Sequence, residues 1–162
     1  MLAIGSPAPD LTFEDTTGRP VRLSDHRGHP VLLYFLRSTT CPVCNRHVRD
    51  LAAHAARLAG VRVLLVVPED RGTAAAWRAR RDVGFPVLVG RGDRPHQRVG
   101  LDRRLFGTLQ QSGTVLLDAA GTVRHLRAAT VPTGGYDRAG VLAAVDALRT
   151  DDATGARDGT VC

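Results

Sequence analysis

Cys41 and Cys44 close the run Cys41-Pro42-Val43-Cys44, and two thiols at that spacing can form and break an intramolecular disulfide. The pair follows an apolar run, Pro30 to Leu36, and opens a stretch of helical periodicity in which Cys44, Val48, Leu51, Ala55 and Leu58 share one face. Cys44 therefore heads the stripe that faces a core, and Cys41 sits one turn earlier, at the helix mouth. Pro42 suits the first helical position, where its missing N–H costs nothing and its fixed φ favours the helix. Ser38, Thr39 and Thr40 offer side-chain oxygens to the turn before it. Unpaired N–H groups and the positive end of a helix dipole draw the pKa of a thiol placed there from about 8.5 to near or below 7. Outer Cys41 is then the attacking group. Inner Cys44 resolves the mixed disulfide by attacking Cys41 and expelling the reduced partner.

Several other chemistries are disfavoured by residue type. Two buried cysteines acting as small hydrophobes would account for Cys44 but not for an outer cysteine before proline at a helix mouth. Haem attachment wants His after the second cysteine, where Asn45 stands. Structural zinc wants four ligands, usually from a second pair, which this sequence lacks. There is no Lys, so Schiff-base chemistry is excluded. No cofactor is required.

The elements that must position the pair are legible in outline. Leu11 to Phe13 and Val21 to Leu23 alternate around Asp15-Thr-Thr-Gly18 as an opening hairpin, and Ser24 caps a short turn leading to Gly28. Residues 30–36 have the continuous apolar character of a strand buried on both faces, and a helix is expected over 41–59. A strand over 61–67, a helix over 73–81 and a short strand over 86–89 come next, then a broken helix and loop over 95–107. Residues 114–118 and 122–126 form a β-hairpin turning at Gly121, and a helix over 137–148 closes the domain with Val141, Leu142, Val145 and Leu148 on one stripe. This order specifies a three-layer α/β domain. Residues 1–149 are expected to form it, and 150–162 a polar, flexible tail.

The chain has 162 residues, enough for one domain that buries about 70% of its unfolded surface, so its three cysteines are not needed as staples. The net charge is +6 and all 22 basic residues are Arg. They are scattered among acids with few aromatics, unlike the basic, aromatic-interleaved surface of a nucleic-acid binder. No apolar stretch approaches the ~20 residues needed to span a bilayer, and the opening segment lacks the basic and apolar parts of a signal. The expectation is a soluble, cytoplasmic protein with no nucleic-acid or membrane partner, in which a disulfide is transient.

These residues resemble the thioredoxin superfamily and, within it, the peroxiredoxin-like alkyl hydroperoxide reductase and thiol-specific antioxidant (redoxin) family. The similarity runs over residues 5–148: Gly5-Ser-Pro-Ala-Pro-Asp10, Leu23-Ser-Asp-His-Arg-Gly28 with His-Pro-Val-Leu-Leu-Tyr-Phe35, Phe85-Pro-Val-Leu, and Gly113-Thr-Val-Leu-Leu-Asp-Ala-Ala-Gly121. The resemblance implies a thioredoxin-like fold, a central mixed sheet with helices on both faces and an N-terminal β-hairpin. It also implies oxidoreductase chemistry.

The departures from the family are equally informative. Peroxiredoxins carry Pro, then Thr or Ser, then the peroxidatic Cys at fixed spacing, and a distant Arg that polarises peroxide. Aligning that Cys with Cys44 puts Arg37 at the Pro position, Cys41 at the Thr position and Ser112, just before Gly113, at the Arg position. Thioredoxins match the cysteine pair but carry a cis-Pro where this chain has Gly113, and a buried acid where it has Phe35. The chain looks like a peroxiredoxin-like scaffold holding a thioredoxin-like pair, with Arg37, Thr40, Pro42, Ser112 and Gly113 as neighbours of the site. No proton acceptor for Cys44 is visible; Glu69 or Asp70 could serve, although solvated loop acids explain both.

Other residues have competing explanations. His47 and His54 flank Asp50 on the helix next to the Cys44 stripe, where a metal or proton-relay role competes with that of ordinary boundary histidines. His96 and His125 match poorly the distant His of copper-delivery relatives. Arg37 and Arg46 can stabilise a thiolate or lie on a solvated face, Trp77 reads as core, and Cys162 as an exposed terminal thiol.

The first functional hypothesis is a thiol–disulfide oxidoreductase acting on a disulfide substrate through Cys41 and Cys44, recharged by a cellular dithiol and compatible with a homodimer. The second is a thiol peroxidase for hydrogen peroxide or alkyl hydroperoxides, passing through a sulfenic acid. A non-catalytic Cu/Zn carrier using the cysteine pair and a redox-inert interaction module are the remaining alternatives.

Overall fold

The computed structural model describes residues 2–92, 94–104 and 109–158. Its centre is β3 (Val31–Phe35), every residue of which is buried. Such a strand must be covered on both faces, and its side chains alternate between two apolar clusters. Leu32, Tyr34 and Leu36 join Cys44, Val48, Leu51, Trp77, Val141 and Val145 on one face, whereas Val31, Leu33 and Phe35 join Leu11, Phe13, Val99 and Leu101 on the other.

A seven-stranded mixed sheet is built around this strand. The opening hairpin, β1 (Thr12–Asp15) and β2 (Pro20–Arg22), reaches the sheet by antiparallel pairing of β1 with β5 (Val87–Gly90). β5 and β3 each pair in parallel with β4 (Arg62–Val66). On the other flank β3 pairs antiparallel with β8 (Ser112–Leu117), and β8 with β9 (Val123–Ala129). Between them in sequence lies a small separate ribbon, β6 (Arg103–Arg104) with β7 (Leu109–Gln110). Three helices, α1 (Pro42–Ala53), α2 (Arg71–Arg80) and α4 (Arg138–Asp158), lie on the Tyr34 face. The opposite face is covered by short pieces, the 3-10 turn Leu23–His26 and the segment around α3 (Pro95–Arg98). The expected layered α/β architecture is therefore present, with its helical mass unevenly divided. Among the described residues no helix is long and apolar enough to cross a membrane.

The last strand runs to Ala129 rather than 126, Arg103–Arg104 pairs as a strand within the expected broken helix and loop, and two helix ends also differ from expectation. The helix expected over 41–59 ends at Ala53; His54 has left helical geometry (φ −105°, ψ 18°) and its Nδ1 lies 2.8 Å from the Asp50 carbonyl, so the chain continues to Gly60 in hydrogen-bonded turns. The last helix, expected to stop at 148 before a flexible tail, runs on to Asp158. Nothing in 149–158 breaks it: there is no Pro, and the hydroxyls of Thr150 and Thr154 donate back to the carbonyls one turn earlier. Cys162 lies outside the described residues, as do residues 105–107 of the expected broken helix.

Gly113 pairs directly opposite Phe35 in the β3–β8 ladder. A Cβ there would lie 2.5 Å from the Arg127 carbonyl oxygen and 2.9 Å from a Leu101 methyl, so the position is glycine because β9 and Leu101 close over it. Gly113→Ala is expected to cost about 1–3 kcal/mol, read as a lower urea midpoint at unchanged slope.

Candidate active site

The corner between β3 and α1 carries both thiols. Cys41 is the N-cap residue of α1, in extended geometry (φ −69°, ψ 117°), with Pro42 following in the first turn. Its sulfur accepts the backbone N–H of Cys44 at 3.3 Å, so a thiol fills the place a serine or aspartate oxygen takes in an ordinary cap. Cys41 is half-buried. Cys44, one turn on, is fully buried (0% exposed) in the cluster of Leu32, Tyr34 and Leu36. Both thiols are free. Burial pushes the Cys44 pKa up, reinforced by its hydrogen bond with Cys41 and opposed by donors from the Arg37 backbone and the Tyr34 hydroxyl. The two sulfurs thus occupy opposite environments, one at the open positive end of a helix and one within apolar side chains.

The loop before α1 is fixed mainly by a residue that sequence reasoning considered only as the absence of a haem-binding His. Asn45 is buried, and its amide donates to the carbonyls of Thr39 (2.9 Å) and Cys41 (2.8 Å) while its oxygen accepts the Trp77 indole N–H at 2.8 Å. Trp77 is core, as its place in the helix pattern suggested, and it is also the far anchor of this clamp. On the other side Glu69 accepts the backbone N–H of Thr39 at 2.7 Å and its hydroxyl at 3.0 Å. The possibility that Glu69 or Asp70 takes the Cys44 proton gives way to structural roles. Glu69 braces the loop, and Asp70 caps α2 by accepting the Thr73 N–H at 2.8 Å.

The remaining sequence candidates are unevenly placed. Arg37 meets Cys44 through its backbone, while its guanidinium turns away to the Thr130 carbonyl. Thr40 is exposed and bonds to Ser38, with 2.8 Å between hydroxyl oxygens. Ser112 is buried beneath Gly135, its hydroxyl without a partner among the described residues, and Gly113 lies against Leu101 and Arg127. Neither meets the thiols in the contacts that define its position. His96 is buried, with Nε2 2.8 Å from the Leu36 carbonyl oxygen and its pKa pushed down to about 4 by burial. Among the described residues no group of three or more His, Cys, Asp or Glu side chains is arranged to hold a metal ion.

Sequence reasoning placed Tyr34 only within the buried strand. It shares a buried cluster with Cys44, whose pKa its hydroxyl helps to lower, and that hydroxyl lies 2.9 Å from Nδ1 of His47, which is 8% exposed. Both residues carry a sequence signal: Tyr34 shares a strand face with Leu32 and Leu36, and His47 follows Cys44 by one helical turn. A buried tyrosine among aliphatic residues needs a partner for its hydroxyl.

A family profile described as the AhpC/TSA family matches residues 4–126. The chain belongs to the AhpC/TSA family. Chloroplastic peroxiredoxin Q of Oryza sativa subsp. japonica is 30% identical over 125 residues, which is 75% of this chain and 57% of the rice protein. The chain thus spans little more than half the length of that relative. Among solved structures, peroxidoxin BcpB from Mycobacterium tuberculosis superposes with a TM-score of 0.73 at 24% identity, covering 93% of this chain and 98% of that one. A secreted M. tuberculosis disulfide oxidoreductase homologous to E. coli DsbE gives 0.63 at 20%, covering 85% and 96%. These likenesses establish the thioredoxin-like, peroxiredoxin-type fold.

Two consequences are measurable. Trp77→Phe leaves the Asn45 carbonyl oxygen buried without its donor, and is expected to cost about 1–3 kcal/mol in denaturant unfolding. In the reduced protein, iodoacetamide should modify Cys41 at least about tenfold faster than Cys44, because Cys44 is both inaccessible and held as a thiol; peptide mass analysis over time reads the order.

Proposed function

We propose that this AhpC/TSA-family chain is a thiol–disulfide oxidoreductase in which Cys41 attacks a disulfide substrate and Cys44 resolves the mixed disulfide. The observation that carries this reading is the position of Cys41 as the cap of α1, with the Cys44 N–H on its sulfur and Cys44 itself sealed behind it. The Cys41 thiolate forms a bond to one substrate sulfur and expels the other as a thiolate. Cys44 then attacks the Cys41 sulfur, forming the intramolecular disulfide and releasing the second substrate thiol, so that two electrons pass to the substrate. A cellular dithiol restores the pair. We place the protein in a reducing compartment such as the cytoplasm, where this disulfide is transient.

The similarity to peroxiredoxin Q favours a second reading, reduction of peroxides through a sulfenic acid. Against it stand the residues at the peroxiredoxin positions: Arg37, which turns its guanidinium to Thr130, and Ser112, which is buried and uncharged.

Stopped-flow oxidation of the wild type, Cys41→Ser and Cys44→Ser by a protein disulfide and by hydrogen peroxide, with mass analysis of trapped species, separates the two. Cys44→Ser should accumulate a mixed disulfide on Cys41, and Cys41→Ser should lose at least about a hundredfold in rate with the disulfide. Rapid peroxide-dependent oxidation with a sulfenic acid trapped on Cys44 would replace the first reading by the second.

A further inference from the structure

The dithiol cycle has an unfilled requirement. Cys44 must lose a proton to attack, yet it is fully buried and its environment favours the thiol; Glu69 Oε1 is engaged by Thr39, Asp70 by Thr73, and neither acid is among the groups that act on the Cys44 pKa. Tyr34 lies with Cys44 in the same buried cluster, against which Cys41 also packs, and the Arg37 backbone, Cys41 and the Tyr34 hydroxyl all act on the Cys44 pKa. From Tyr34 a continuous line leads outward. The phenol oxygen lies 2.9 Å from His47 Nδ1, and the His47 ring helps line an open groove with Arg46, Asp50, Tyr136 and Arg138.

We propose that Tyr34 and His47 form a proton relay for the resolving thiol: Cys44 passes its proton to the Tyr34 oxygen as the Tyr34 proton moves to His47 Nδ1, and His47 releases it to solvent through the groove. This rests on the dithiol reading above. In the resolving step the bond between Cys41 and the substrate sulfur breaks, its electron pair leaves with the substrate thiolate, and the Cys41–Cys44 bond forms. The Cys44 hydrogen ends on the Tyr34 oxygen and the hydrogen Tyr34 carried ends on imidazole. Tyr34, now carrying that hydrogen, donates a hydrogen bond to the Cys44 sulfur as its charge passes into the new S–S bond, and accepts one from the imidazolium N–H.

The surroundings suit these parts. Burial, with further contributions from the neighbouring thiols, raises the Tyr34 pKa, so the phenol conducts as a neutral hydroxyl. Burial, aided by Arg46 and opposed by Asp50, lowers that of His47 below its ordinary value, so the ring is neutral and able to accept a proton near pH 7. The titratable and charged groups around the ring are Arg46 and Asp50 on α1, Tyr34 on β3, Tyr136 and Asp137 before α4, and Arg138 on α4. Asp50 is already held by the Tyr136 hydroxyl and by Arg138, each at 2.9 Å, which ties its charge to partners other than His47.

The test uses the reduced full chain and an aromatic disulfide, 5,5′-dithiobis(2-nitrobenzoate), whose thiolate is coloured. Attack by Cys41 releases one equivalent of thionitrobenzoate, and resolution by Cys44 releases the second. Tyr34→Phe and His47→Gln should slow the second phase at least about tenfold while leaving the first within about twofold. In the wild type the second phase should fall away below an ionisation lying under about 6.5 and level off above it, and this limb should vanish in both variants. Imidazole should restore part of the second phase in His47→Ala. Second phases with wild-type rate and pH profile in Tyr34→Phe and His47→Gln overturn the relay. Should a variant not fold, the wild-type profile decides, since a second phase that tracks hydroxide throughout also overturns it. Release of only one equivalent by the wild type would instead sink the dithiol reading, so the two failures are distinct.

Discussion

Asn45 holds the corner on which everything else at this site depends. A chain leaving a strand buried on both faces must turn within six residues, Leu36 to Cys41, into a helix whose mouth faces solvent. Within that turn the Ser38 carbonyl accepts the Cys41 N–H and the Cys41 carbonyl the Asn45 N–H, so it is the Thr39 carbonyl that depends on a side-chain donor returned from the first turn of α1. The Asn45 amide supplies it, with a second bond to the Cys41 carbonyl, and Trp77, on α2, satisfies the amide oxygen in turn. A buried polar group of this kind is costly when broken and nearly neutral when complete, so the clamp acts chiefly to select one loop conformation. That conformation places the Cys41 sulfur on the Cys44 N–H.

The separation of roles between the thiols follows from the same turn of helix. One turn of rotation and rise carries the chain from the dipole end, where N–H groups are unpaired, to a side-chain cluster of leucine, valine and tyrosine. No charged residue is needed to make the two sulfurs different. Where thioredoxins keep a buried acid, this chain has Phe35, whose ring contacts His96 on the opposite face of the sheet. A neutral phenol and imidazole on the Tyr34 face carry a smaller desolvation penalty than a buried carboxylate would, and they leave the apolar cluster around Cys44 uncharged.

The sequence made the strand, the helix and the cysteine geometry legible because each rests on local periodicity: the unbroken 30–36 run, the Cys44 stripe, and Pro42 at a helix start. The α/β layering followed from element order. Much of what fixes the site was hidden because it depends on side chains distant in sequence. Nothing near Asn45 announces Trp77, and nothing near Thr39 announces Glu69, since both contacts arise only when β4 lies beside β3. Tyr34 and His47 were accessible in principle by combining a strand period of two with a helix step of three, but only once the two faces were known to meet. The C-terminal helix ran past its expected end because polar composition was read as disorder, whereas without Pro a solvated helix can continue, its Thr150 and Thr154 hydroxyls satisfied on carbonyls of the helix itself.

Membership of the AhpC/TSA family and the cysteine pair pull the mechanism in different directions, and the local geometry indicates how they are reconciled. A peroxide-reducing cysteine benefits from an exposed sulfur with a cation aimed at it. Cys44, at the aligned position, has neither: it is sealed, and the Arg37 guanidinium is bonded to the Thr130 carbonyl. The more accessible, half-buried thiol belongs instead to Cys41, one turn earlier, where that family carries Thr or Ser. Placing a thiol at a helix cap converts a hydrogen-bonding position into a nucleophilic one without altering the backbone, since sulfur accepts the same N–H that oxygen would. The inner cysteine can then stay in the apolar layer, provided that its proton has a way out. On the proposed dithiol reading the scaffold moves its reacting atom by one turn of helix, and the proposed relay meets the resulting demand for a proton path on the face of the sheet where Tyr34 and His47 meet.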